Sequence, residues 1–160
     1  MRILVLGAGI IGSIYGSRLI QAGHDVAVLA RGARKEQLEE HGLLIEDVLS
    51  RTRQEFHPAI VDQIQGKYDL ALVAVRNSHL DATVPQLQSL PDATALLFML
   101  NCPLRVAQLL EAFGANRTFF GFPGAGGIYD GPLIRYSAVR QQPSTFGPVR
   151  GQSKNMPSQF

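Results

Sequence analysis

Gly7, Gly9 and Gly12 punctuate the stretch VLGAGIIGSIYG directly after an apolar run. Glycines at this spacing expose backbone N–H groups at a strand-to-helix turn, where a phosphate can approach without meeting a Cβ. Gly7 would permit the tight turn, Gly9 the approach of the phosphates, and Gly12 close packing of the helix on a sheet. Arg31 stands where the second apolar run ends, with Arg34 and Lys35 close behind. An NAD site wants Asp or Glu there to accept from the ribose 2′-OH, whereas a guanidinium grips a 2′-phosphate through paired hydrogen bonds. The pattern therefore points to NADP(H). The plainer alternative is a ligand-free packing turn, with Arg31 opening a surface loop.

Other chemistry-bearing residues carry less. Cys102 is the sole cysteine, which excludes an internal disulfide and a cysteine-based metal site. No base is readable near it, so it reads as a small apolar residue. His24, His41, His57 and His79 share no metal spacing, and no metal is expected. Glu39-Glu40 and Glu46-Asp47 read as solvated helix and hairpin faces. Phe119, Phe120 and Phe122 read as core.

The elements that must position the glycine loop follow from periodicity. Arg2 to Leu6 is a short continuous apolar run, as in a strand buried on both faces. Residues 10–22 repeat apolar positions at helical spacing and stop at Gly23. Residues 25–30 form a second buried strand, and 34–41 a short polar helix stopped by Gly42. Residues 43–48 and 53–60 read as strands around the polar turn LSRT. Further buried strands fall at 68–75 and 95–100, with helices at 80–90 and 104–113. From Thr118 the texture becomes rich in glycine and aromatics, with short strands, a turn at Asp130-Gly131-Pro132, and a last strand closing at Phe146-Gly147-Pro148. The alternation predicts an α/β, Rossmann-like, doubly wound and mostly parallel sheet. Helices lie on both faces, and antiparallel strands are added near the C-terminus. Residues 1–150 form the NADP-binding domain and 151–160 a polar tail.

At 160 residues, 46% hydrophobic and 18% charged, the chain has the composition of an ordinary globular domain. A net charge of +2 gives no reason to expect nucleic acid. After Asn116, five basic residues (Arg117, Arg135, Arg140, Arg150, Lys154) face one acid, Asp130. That bias suits a solvated face better than an anion site. No apolar run approaches a membrane span, and the start is too broken by glycine for a signal peptide. A cytoplasmic setting is expected.

The ordered set RILVLGAGIIGSIYGSRLIQAGHDVAVLARG, GLLIED, YDLALVAVR, FMLN and YDGPLI followed by FGP resembles the ketopantoate reductases, over roughly residues 1 to 150. The resemblance implies a two-domain NADPH-dependent reductase that converts the ketone of a 2-oxo acid to an alcohol, making pantoate for pantothenate biosynthesis. It implies that Gly7, Ala8, Gly9, Ile10, Ile11 and Gly12 form the pyrophosphate loop and that Arg31 meets the 2′-phosphate. Arg76 stands where the family usually has a lysine beside the nicotinamide and substrate, an exchange that alters a shaped site. Asn101 matches an asparagine near the nicotinamide ribose, followed here by Cys102-Pro103. Gly127 matches a small residue lining the cofactor. Arg76 and Asn101 are thus the expected catalytic groups. The helical second domain that the resemblance implies, with its proton-donating lysine, is absent from these 160 residues.

Two functional classes follow. One is an enzyme, with a 2-oxo acid as its small-molecule partner and either a separate helical domain or a second copy completing it. The other is a module that holds or senses NADP(H), or a truncated remnant, without chemistry of its own.

Overall fold

The computed structural model describes residues 1–139 and 141–149. The expected tail, 151–160, lies outside them. In chain order the elements are β1 (Arg2–Leu6), α1 (Ile10–Gln21), β2 (Asp25–Leu29), α2 (Gly32–His41), β3 (Leu43–Asp47), β4 (Thr52–Phe56), β5 (Ala59–Val61), β6 (Leu70–Val73), α3 (Leu80–Leu87), β7 (Ala95–Phe98), α4 (Val106–Phe113), β8 (Thr118–Phe122), β9 (Ala125–Asp130), β10 (Leu133–Ala138) and β11 (Thr145–Gly147).

The main sheet runs β11-β8-β7-β6-β1-β2-β5. Its first six strands in chain order, β1, β2, β5, β6, β7 and β8, pair in parallel. They lie in the spatial order 3-2-1-4-5-6 of a doubly wound dinucleotide fold. β11 adds an antiparallel edge to β8. The strands are apolar throughout because both faces are covered. Ile3 and Val5 point to one side with Leu70, Leu72 and Leu97, under Ile14 of α1 and Leu38 of α2. Leu4 and Leu6 point to the other with Ala71, Val73 and Phe98, under Leu80 and Leu87 of α3 and Leu109 of α4. Each fully buried leucine on these faces contributes about 1.5–3 kcal/mol relative to exposure.

A second sheet, β4-β3-β10-β9, backs the first face. β10 pairs in parallel with β3 and antiparallel with β9. This corrects one expectation. Residues 53–60 do not form one strand. The run breaks at His57-Pro58, leaving β4 in the second sheet and β5 in the main one, and Pro58 brings no N–H to a continuing ladder. The expected antiparallel strands near the C-terminus are present, divided between sheets, β8 and β11 in one and β9 and β10 in the other. Helix α1 therefore lies between sheets, touching β1 and β2 on one side and β3, β9 and β10 on the other. Small residues make that possible: Gly12, Ser13, Gly16 and Ser17 are all buried.

Arg18 and Tyr136 tie helix to second sheet. The Arg18 guanidinium donates to the Tyr136 hydroxyl, and that hydroxyl donates to Asp47 Oδ2 at 3.3 Å. Asp47 also accepts from the Leu49 N–H at 2.9 Å. Across β10 and β3, Arg135 Nε meets Glu46 Oε1 at 3.0 Å.

Candidate dinucleotide site

The C-terminal ends of β2, β1, β6 and β7 lie side by side, so residues that follow them line one edge of the sheet. β1 runs into the glycine turn. Gly7 has φ +101°, and a Cβ there would fall 2.6 Å from the Ala74 carbonyl oxygen at the end of β6. A Cβ on Gly12 would fall 1.9 Å from the Gly7 oxygen, so the turn closes only with glycine at both positions. Gly9 is different: a Cβ there would meet nothing within 4 Å, so its missing side chain leaves open space. Gly9 is also the N-cap of α1. Its oxygen accepts the first helical bond, from the Ser13 N–H at 2.9 Å, and no side chain caps the helix. The first-turn N–H groups thus stand at the positive end of the helix without a capping acceptor. Ile10 and Ile11 anchor the turn by packing half-buried on the core.

This turn opens on a cleft of about 490 Å³ that gathers Gly7, Ala8 and Gly9 with Arg31, Arg34, Arg76, His79 and Tyr129. An adjoining recess of about 330 Å³ shares Gly7, Arg31 and His79 and extends to Thr83 and Gln86 on α3. Three guanidiniums and no carboxylate line the cleft among the described residues, so it favours an anion.

The three arginines are held differently. Arg31, the N-cap of α2, donates from Nε to the Asp62 carbonyl at 3.1 Å and from Nη2 to Gln86 Oε1 at 3.0 Å. Both acceptors are neutral. The Asp62 carboxylate is taken by Lys35 at 3.0 Å; the Lys35 hydrogen bond and charge depress the Asp62 pKa, burial acting weakly against them. Arg34 bends back onto the loop. Its Nε donates to the Ala8 carbonyl at 2.8 Å, its Nη2 to Ser13 Oγ at 3.1 Å, and its Nη1 to Gln37. Its guanidinium carbon also lies 5.5 Å from the centre of the Tyr129 ring, which reaches across from β9. Burial draws the Arg34 pKa down from the arginine value, with Tyr129 acting in the other direction. Arg76 follows β6 and is exposed, with no side-chain partner among the described residues.

The expected site residues are therefore only partly assembled in one place. Gly7, Ala8, Gly9, Arg31 and Arg76 share the cleft, and Ile10, Ile11 and Gly12 support it from behind. Asn101 lies past β7 in a separate hollow of about 400 Å³, with Cys102, Pro103, Phe120 and Phe146. Gly127 lines neither. It sits in β9 opposite Tyr136, where a Cβ would fall 2.6 Å from the Arg135 oxygen, so its small size serves the β9–β10 approach. Arg34, His79, Tyr129 and Gln86 were not singled out as site residues. The basic cluster after Arg31 signalled Arg34. Nothing local signalled the other three, which arrive from β9, from α3 and from the turn before it.

Among the described residues no group of His, Cys, Asp and Glu gathers as a metal site, and no helix is long and apolar enough to cross a membrane. Burial raises the Cys102 thiol pKa, Arg105 opposing it, so the thiol is not activated.

The strand order, the glycine turn at the switch between β1 and β6, and the basic cleft beside it define a Rossmann-type domain of the dinucleotide-binding class. The chain belongs to the family described as ketopantoate reductase PanE/ApbA, whose model matches residues 3–151. It is 30% identical over 135 residues to a 2-dehydropantoate 2-reductase of Pyrococcus horikoshii, covering 84% of this chain and 43% of that protein. Its fold is similar to that of a 2-dehydropantoate 2-reductase from Methylococcus capsulatus, with TM-score 0.75 and 26% identity over 86% of this chain and 46% of that one. A D-mandelate dehydrogenase in complex with NADH is also similar, with TM-score 0.70 and 27% identity over 84% of this chain and 43% of that one. The chain spans less than half the length of each of these relatives.

Proposed function

We propose that this chain is the cofactor-holding part of an NADPH-dependent reductase of a 2-oxo acid. Ketopantoate is the leading substrate, reduced to pantoate on the way to pantothenate in the cytoplasm. The observation that carries the cofactor choice is Arg31. It follows β2, shares a cleft with the glycine loop, and spends its hydrogen bonds on two neutral oxygens, so no carboxylate occupies its donors.

The residues present fit a phosphorylated dinucleotide. The open face at Gly9 and the uncapped N-terminus of α1 suit a pyrophosphate, and Arg31 suits a 2′-phosphate. When bound, the nicotinamide would supply the hydride for carbonyl reduction. Arg76 and Asn101 follow adjacent strands and would face the reacting end, Arg76 drawing the substrate's negative charge and Asn101 donating to an oxygen. A helical domain, or a second copy, would supply the opposite wall and the proton.

A second reading, a binding module without catalysis, draws on Arg76. It stands where the resemblance implies lysine, and a broad fork replaces a compact ammonium. Calorimetry separates the cofactor claims. NADPH should bind at least about tenfold more tightly than NADH, since a charge-assisted hydrogen bond contributes roughly 1.5–3 kcal/mol, and Arg31→Asp should erase or reverse that ratio. Equal affinity in the unmutated chain would overturn the assignment.

A further inference from the structure

We propose that Gln86 is a positioning residue that sets cofactor specificity by presenting Arg31 to a 2′-phosphate. This inference rests on the NADP(H) reading above and deepens it. Arg31 is long and exposed, and an unconstrained guanidinium at the end of a strand would sample many rotamers, at a cost in entropy when it orders on a ligand. Here it is clamped from two sides. The Asp62 carbonyl holds Nε from beyond β5, and Gln86 Oε1 holds Nη2 from α3. Nη1 is left without a protein partner among the described residues.

The Gln86 amide is itself fixed. Its Nε2 donates to the Ala82 carbonyl one helical turn back at 2.8 Å. An amide whose nitrogen faces a carbonyl must turn its oxygen the other way, so the helix dictates that Gln86 offers Arg31 an acceptor. The residue type matters as well as the geometry. A glutamate would bind Arg31 more strongly, but would cancel its charge and repel a phosphate. An amide orients the guanidinium and leaves the charge intact. On the other side Lys35 takes the hydrogen bond of the Asp62 carboxylate, and Arg31 bonds that residue's neutral backbone oxygen while acting on the carboxylate only through its charge. Gln86 lines the recess that holds Arg31 and is half-buried on a helix surface, so it can be replaced without opening the core.

The test is calorimetry with NADPH and NADH, and with the probes adenosine 2′,5′-bisphosphate and 5′-AMP, which differ only in the 2′-phosphate. Gln86→Ala should weaken NADPH and the bisphosphate about fivefold, through loss of the one bond that orients Arg31, and leave NADH and 5′-AMP unchanged. Gln86→Glu should weaken the phosphorylated pair by more than about tenfold, again sparing the other two. Gln86→Asn is too short to span the gap and should behave like the alanine variant. A purely structural role for Gln86 would weaken all four ligands together, and that result overturns the proposal. A clear NADPH preference in the unmutated chain that survives both Gln86→Ala and Gln86→Glu overturns it too, while leaving the role of Arg31 standing. No preference in the unmutated chain overturns both.

Discussion

Arg34 Nε donates to the Ala8 carbonyl oxygen across 2.8 Å. The bond pins a carbonyl of the glycine loop to the first turn of the next helix, so that this oxygen is engaged away from any phosphate. Bonds from the same guanidinium to Ser13 and Gln37 and its stacking on Tyr129 make Arg34 a brace between the loop, α2 and the second sheet. Arg34 is thus the loop brace, and Arg31 the proposed phosphate ligand.

Those two roles predict different patterns of loss. Arg34→Ala should weaken NADPH and NADH by the same factor, about tenfold, because the loop that both use is loosened. Arg34→Lys should lose nearly as much, since one ammonium cannot reach three acceptors in a fixed fork. Calorimetric titration of both cofactors decides the matter. A loss confined to NADPH would make Arg34 a phosphate ligand instead.

The glycines should separate binding from folding. Gly9→Val fills space that is open in the protein alone, so its thermal midpoint should stay near that of the parent while cofactor affinity falls by more than about a hundredfold. Gly12→Ala drives a methyl into the Gly7 carbonyl and should cost about 2–4 kcal/mol of stability. Thermal melts paired with titrations test both. A Gly9→Val protein that binds as before would place the nucleotide elsewhere.

Acid should unfasten α1 from the second sheet. Burial would raise the Asp47 pKa, but hydrogen bonds from the Leu49 and Ser50 N–H groups and from Tyr136, with the Arg18 charge, together hold it below the usual carboxylate value. A depressed folded-state pKa adds stability that is fully present above the unfolded value, near 3.9, and is lost as pH falls through the folded one. Urea midpoints measured from pH 6 down to pH 2 should therefore fall more steeply for the parent than for Asp47→Asn. Parallel curves would mean that Asp47 titrates alike in both states.

Turnover by these 160 residues alone should be negligible. Reduction needs the acceptor held about 3–3.5 Å from the donor carbon, in a site shielded from water. Arg31, Arg76, His79 and Tyr129 are all exposed, so the cleft is wet. Loss of nicotinamide absorbance with ketopantoate should match the protein-free rate, and should rise when a helical domain of the family is appended. Brisk oxidation by the chain alone would show that it holds a complete active site.

Much of this was legible in the sequence where local pattern decides structure. The buried strands β1, β2, β6 and β7 announce themselves as unbroken apolar runs, and the glycine turn by its spacing. What local pattern does not carry is the choice of partner. Residues 43–48 read as a strand, but nothing in them says that β3 will pair with β10. The apolar character of residues 59–60 suits either sheet, so the break at Pro58 was hidden. The site shows the same division. Arg31 is read from its place after β2, whereas His79 and Tyr129 reach the cleft, and Gln86 the recess beside it, only through the packing of the turn before α3, of β9 and of α3. Asn101 and Gly127 come from the resemblance alone. The resemblance sets them beside the cofactor; in the protein alone Asn101 lines a separate hollow past β7 and Gly127 lies against Tyr136 of β10.

The pairing of β3 with β10 joins residues such as Glu46 and Arg135 that lie 89 positions apart. During synthesis, which proceeds from the N-terminus at roughly 5–20 residues per second, β1, α1 and β2 emerge early and can begin to associate. The outer side of α1 must wait for β9 and β10, which leave the ribosome roughly a hundred residues later. For those seconds a helix destined to lie between sheets keeps one side uncovered. Closing so long a loop also slows the final step. The glycine loop at the head of α1 would therefore become a finished binding surface only once nearly the whole domain has been made.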